Sequence, residues 1–199
     1  MILPITAYGD PVLLKKAQPI DKDYPELKGL ISSMFETMYN ASGVGIAAPQ
    51  VGLSLRLFVI DAKPFSDDDD DEMSETESKA LKGFKQVFIN AEMLEQTGEK
   101  WPFTEGCLSI PEIREDVFRP ANIKIKYVDE NWVEHIEEYS GIAARVIQHE
   151  YDHIEGKLFT DYLNPLKKAM LKGRLDAISK GNIKTDYKMK FNVKKKGRR

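Results

Sequence analysis

Five consecutive residues, His149-Glu150-Tyr151-Asp152-His153, carry the most chemically specific pattern in the chain. Imidazoles four positions apart project from one face of a helix, so both can reach one metal ion. The glutamate between them then lies beside the open coordination position, placed to accept a proton. Hydrolysis by a metal-activated water is the chemistry this spacing suits. The competing reading is that both histidines face a polar surface. Against it, Ile142, Val146, His149 and His153 fall at i, i+4, i+7 and i+11, so the imidazoles continue an apolar stripe aimed at the core. Buried there, each imidazole needs a partner, which a metal supplies.

Two histidines do not complete such a site, because a hydrolytic metal normally has three protein ligands. A downstream glutamate is excluded, since no Glu follows Glu155, and the extended H-x-x-G-x-x-H pattern is absent. Cys107, His135, Asp161 and Asp176 remain as candidates. His135 sits on a strand among acidic neighbours and reads as a surface residue, and the two aspartates have no special context. Cys107 lies in Glu105-Gly106-Cys107-Leu108-Ser109, next to a glycine that permits close backbone approach to a ligand. A lone cysteine can equally pack as a small hydrophobe. The residues alone leave the third ligand open.

The elements that must position these groups follow from periodicity. Ser140 reads as the N-cap of a helix running through Glu155 and stopping at Gly156. Leu27, Leu30, Ile31, Met34, Phe35 and Met38 form one face of an amphipathic helix. Asp10-Pro11 opens a short helix, and Asn164-Pro165 opens a last one that meets Gly181. Leu55–Asp61 reads as a buried strand and Gln86–Asn90 as a short one. Ile123, Ile125 and Tyr127 alternate with lysines on a third, which turns at Asp129-Glu130-Asn131 into a strand over Trp132–Tyr139. The glycine-containing segment Gly43–Gly52 reads as a packed loop. Strands grouped between helices predict an α+β fold: short antiparallel or mixed sheets around a central helix bearing HEYDH, with a C-terminal helix.

With 199 residues, 42% of them apolar, the chain has room for one domain with a real core. One cysteine excludes an internal disulfide and makes a reducing compartment the default. The first dozen residues lack a signal-peptide pattern, and no stretch approaches the ~18 apolar residues of a membrane span. A cytoplasmic protein is therefore expected. The net charge of −3 conceals two runs: Asp67–Glu77 is densely acidic, and Lys184–Arg199 is densely basic. Both are expected to be solvated and mobile.

Three ordered motifs, GVGIAAPQ at Gly43–Gln50, EGCLS at Glu105–Ser109 and QHEYDH at Gln148–His153, resemble those of the peptide deformylases, the bacterial and organellar metal hydrolases that remove the formyl group from the initiator methionine of new polypeptides. The likeness extends to the MILPI…GDPVL start, to SIPEIR and to KLFTDYLNPLKK. It implies a single catalytic domain over residues 1–181 with an acidic insert at about 62–84, followed by a basic tail over 182–199. It implies Cys107, His149 and His153 as ligands of one divalent ion, typically ferrous iron, with nickel, cobalt or zinc accepted in its place.

The resemblance also assigns roles. Glu150 would take a proton from the attacking water and return it to the leaving amine. Gln50 and the Leu108 N–H would stabilise the oxyanion. Gly43, Val44, Gly45 and Ile46 would let the substrate backbone add as a strand, and Glu105, Gly106, Arg114, Arg145 and Val146 would complete the substrate site. At Arg145 the family commonly has a more apolar residue, which bears on side-chain preference. The implied partners are N-formylmethionyl peptides and nascent chains, without a membrane. Eight cationic residues in the tail suit contact with ribosomal RNA, against the reading that they are merely solvated. Two rival classes stand beside this: an endopeptidase with Asp161 or Asp176 as third ligand, and a nucleic-acid-binding module with a structural metal.

Overall fold

Leu57-Phe58-Val59-Ile60 is apolar at every position because the strand it forms is covered on both faces. Leu57 and Val59 pack with the helix α1 (Leu27–Asn40), while Phe58 and Ile60 pack with the helix α4 (Gly141–Ile154). This two-sided burial organises the molecule. The computed structural model describes residues 1–67 and 75–192, so most of the acidic run and the basic positions 193–199 lie outside the described residues.

The sheet comprises β2 (Gly45–Ala47), β3 (Leu57–Asp61), β4 (Lys85–Cys107), β5 (Ile110–Val128) and β6 (Glu134–Ser140), in that order and antiparallel throughout. The short strands expected from Gln86 onward are one 23-residue strand. Register shifts between Ile89 and Glu92, Met93 and Glu95, and Thr97 and Lys100 interrupt its side-chain alternation, which is why the sequence pattern breaks where the strand does not. Residues Ile123, Ile125 and Tyr127 of β5 are buried, as their alternation predicts.

On the first face, α1 buries Leu27, Ile31, Met34 and Met38. On the second, α4 is nearly enclosed, with Ala144 through Gln148 buried. Ser140 holds the N-cap position, but its hydroxyl makes no capping bond. Glu155 is the C-cap, and Gly156 follows at φ +73°, where a Cβ would lie 2.7 Å from the Leu14 carbonyl oxygen. Asn164 caps α5 (Pro165–Ser179) through the Lys167 amide, and Leu171, Leu175 and Ile178 pack beneath the β4–β5 hairpin. Among the described residues no helix is long and apolar enough to cross a membrane.

Two regions depart from expectation. The insert carries helices α2 (Lys63–Asp67) and α3 (Glu75–Lys82), anchored by buried Ala62 and Leu81 in the α4-side core. The segment after α5 is no free tail in its described part. Met189–Lys190 form β7, parallel to β1 (Ile5–Thr6). From Asn182 to Phe191 burial alternates, with Ile183, Thr185, Tyr187, Met189 and Phe191 half-buried and the lysines outward. It is an edge strap whose charge faces solvent.

Candidate metal centre

Cys107 is the last residue of β4, immediately before Leu108-Ser109, the two-residue turn of the β4–β5 hairpin. That turn points the thiol at α4, where His149 and His153 stand one turn apart with ring centroids separated by 5.2 Å. Cys107 Sγ lies 3.3 Å from His153 Nε2, and one donor atom from each of the three residues lies within 4.8 Å of the other two. Metal–sulfur bonds of ~2.3 Å and metal–nitrogen bonds of ~2.0–2.1 Å give tetrahedral edges of about 3.3–3.6 Å. The Cys107–His153 separation matches such an edge, and the three donors are close enough together for one ion to be held among them.

The surroundings prepare these donors. His149 Nδ1 is 2.9 Å from Glu105 Oε2, which leaves its other nitrogen for the centre. Arg119 grips the same carboxylate in two places, Nε to Oε1 at 2.7 Å and Nη2 to Oε2 at 3.0 Å. Arg119 Nη1 also donates to Asp152 at 2.6 Å, and Asp152 accepts from the Tyr162 hydroxyl. Burial works to raise the Glu105 pKa, but His149 and Arg119 outweigh it and hold the carboxyl well below its usual range.

Burial pushes His153 well below the ordinary imidazole value, with His149 and Arg119 adding to the shift, so it is held in the neutral form that binds metals. His149 goes the other way. Burial opposes its charge, but Cys107 and the carboxylates Glu105 and Glu150 outweigh it. A divalent cation would occupy the position where that proton is favoured. A thiolate, two imidazoles and an anionic outer partner thus fit a borderline divalent metal.

Glu150 is 4% exposed, its Oε2 has no protein partner, and burial raises its pKa to about 7. It packs so closely on β2 that a Cβ at Gly45 would come within 2.5 Å of Glu150 Oε1. A Cβ at Gly43 would likewise meet Leu108 Cδ1 at 2.8 Å. These glycines make room for the site's own side chains as well as for a ligand. Gln50, 1% exposed on the 3-10 turn Ala48–Val51, accepts from the Ala47 amide at 2.8 Å, which turns its Nε2 toward Cys107 Sγ at 3.4 Å.

A cavity of about 630 Å³ opens beside this cluster, lined by Gly43, Val44, Gly45, Leu108, Val146 and Glu150 among others. Glu105, Gly106 and Arg114 reach it too, with the Arg114 stem filling the space over Gly106. Ile46 does not line it, being fully buried in the α1-side core. Arg145 lies at its back, 1% exposed, and its guanidinium is committed to Glu105, the Val117 and Trp101 carbonyls and the Trp101 ring. The remaining ligand candidates lie elsewhere: His135 pairs with Asp129, Asp161 accepts from the Leu158 amide, and Asp176 pairs with Lys172. The sequence reading missed Arg119 and Asp152, which no local pattern marks, and the strap residues Lys184–Tyr187 at the cavity wall, whose alternation was visible.

Comparison with known proteins agrees with this geometry. The family model described as "Polypeptide deformylase" matches residues 2–169. The peptide deformylase of Christiangramia forsetii is 63% identical over the full length of both chains, and that of Flavobacterium psychrophilum is 59% identical over 98% of this chain and all of its own. The crystal structure of peptide deformylase from Thermus thermophilus superposes with a TM-score of 0.77 at 36% identity, covering 92% of this chain and 100% of that one. On its motifs, its metal-binding triad and its full-length relatives, the chain belongs to the peptide deformylase family.

Proposed function

We propose that the chain hydrolyses the N-formyl group from the initiator methionine of newly made polypeptides, releasing formate and a free amino terminus. The observation that carries this is the convergence of Cys107, His149 and His153 beside a buried, unpartnered Glu150 oxygen. When bound, the divalent ion supplies Lewis acidity and makes water nucleophilic at neutral pH. Ferrous iron is the proposed ion in the cell, with nickel, cobalt or zinc replacing it in preparations, since a thiolate–imidazole set accepts all four.

The chain's own groups do the rest. Glu150 takes the proton of the attacking water and delivers it to the departing amine, a task suited to a carboxyl whose pKa burial raises to about 7. Gln50 Nε2 and the Leu108 N–H donate to the oxygen that becomes negative, and Ala47 fixes the Gln50 amide for this beforehand. Glu105 orients His149. The substrate backbone lies along Gly43–Gly45, and the apolar side chains Val44 and Val146 take the methionine. A formyl carbon bears only hydrogen, so close walls admit it and reject larger acyl groups.

In this reading residues 1–181, together with the strap to Phe191 that docks on β1, work as one catalytic domain, in the cytoplasm of a bacterium where nascent chains emerge. The outward Lys184, Lys188 and Lys190 suit contact with ribosomal phosphate; unchanged, salt-insensitive co-sedimentation with ribosomes after their replacement by alanine would refute that contact. Formate release from formyl-methionyl peptides is the test of the activity. Glu150→Gln should keep the metal yet lose roughly 10²–10⁴ in kcat. A variant with full turnover would remove Glu150 from its role.

A further inference from the structure

The strap after α5 reaches the catalytic turn directly. Leu108 and Ser109 close the β4–β5 hairpin, with Cys107 and Ile110 paired across it, so neither turn carbonyl has a ladder partner. Both are nevertheless held. The Tyr187 hydroxyl donates to the Leu108 carbonyl at 2.8 Å, and the Tyr8 amide donates to the Ser109 carbonyl at 2.9 Å.

Tyr187 is itself fixed from several sides. The Ile5 and Ala7 amides donate to the Lys188 and Lys190 carbonyls at 2.8 and 2.9 Å, which locks the strap onto β1. The Thr185 hydroxyl donates to the Tyr187 carbonyl at 2.8 Å, and the Tyr187 ring packs on the α1-side core, as Leu108 does. Upstream, Gly181 at φ +73° turns the chain back after α5, and Phe191 packs over it. Lys184, Thr185, Asp186 and Tyr187 all line the same cavity as Glu150.

We infer that Tyr187 is a positioning residue for the reaction: by holding the Leu108 carbonyl it fixes the turn whose Leu108 N–H faces the developing oxyanion, so the C-terminal strap completes the catalytic cleft. Cys107 anchors Leu108 from the sheet side and Tyr187 anchors it from the other, which removes the rotation that would swing the N–H away. This rests on the deformylase reading above. The effect belongs to the transition state, because the ground-state carbonyl oxygen binds more weakly to such a donor than the oxyanion does.

Tyr187→Phe removes the hydroxyl and keeps the ring, so the fold is retained. The readouts are formate release, giving kcat and KM separately, and the melting temperature. The expected result is a kcat lower by about 10-fold with KM and melting temperature unchanged, smaller than the roughly 10²–10³ lost when an oxyanion donor is removed outright. Wild-type kcat in the variant overturns the inference while leaving the deformylase reading intact. So does a raised KM at unchanged kcat, or a loss of activity that follows a lowered melting temperature. A wild-type protein that releases no formate overturns both.

Discussion

Among the described residues two histidine–carboxylate pairs are of almost equal length. His149 and Glu105 are 2.9 Å apart beneath the metal centre, and His135 and Asp129 are 3.0 Å apart at the β5–β6 turn. Their surroundings separate them. Glu105 is 3% exposed and held by two arginines, and the far side of His149 faces Cys107 and His153. The His135 side chain is 27% exposed, its ring stacks on Tyr127, and its second nitrogen lies 3.7 Å from Glu137. The same hydrogen bond orients a metal ligand in one place and trims a turn in the other. Burial and the partner of the second ring nitrogen set the role, and bond length does not.

The comparison can be broken most severely at Arg119. Replacing it with alanine leaves Asp152 a buried carboxylate without its cation and Glu105 with Arg145 alone, which should cost about 3–5 kcal/mol in denaturant unfolding. A loss under 1 kcal/mol would mean that the network is not what holds the site's floor. Next comes Glu105→Gln, which weakens the orienting bond to His149 while keeping the shape. Metal affinity measured by chelator competition should fall by about 10–100-fold. Unchanged affinity would reduce Glu105 to a structural residue.

At the turn the effects should be small. His135→Gln should change stability by no more than about 1 kcal/mol and leave formate release untouched. The acid limb sharpens the contrast. Burial works to raise the Asp129 pKa, but bonds from His135 and from the Val133 and Asn131 amides outweigh it, so the carboxyl is lowered when folded. Such a group stabilises the fold above its unfolded pKa and loses that contribution as pH falls through the lower, folded value. The stability gap between wild type and Asp129→Asn should therefore be constant near neutrality and close below about pH 4. A gap that widens on acidification would reverse the assignment.

What the sequence disclosed depended on whether the cause was local. The i, i+4 histidines, the stripe through Ile142 and Val146, and the LFVI run all act within one element, and their periodicity exposes them. Cys107 was legible only through family likeness, because its approach to α4 depends on a hairpin about forty residues upstream. Arg119 was invisible for a related reason: its meeting with Glu105 depends on a register that several bulges shift. The strap was legible in principle. Ile183, Thr185, Tyr187, Met189 and Phe191 alternate as a strand should, but the lysines between them made the segment read as a solvated tail. Arg145 shows the converse, a charged side chain absorbed into the core because Glu105 and two carbonyls accept from its two terminal nitrogens.

In the proposed function, one thiolate and two imidazoles hold a single ion on which formyl hydrolysis depends. Anaerobic purification of the wild type and of Cys107→Ser, with metal content and formate release measured on the same samples, addresses it directly. One equivalent of metal and formate turnover in the wild type, with both sharply reduced in the variant, is the expected result. A Cys107→Ser protein that keeps its metal and full turnover would contradict it.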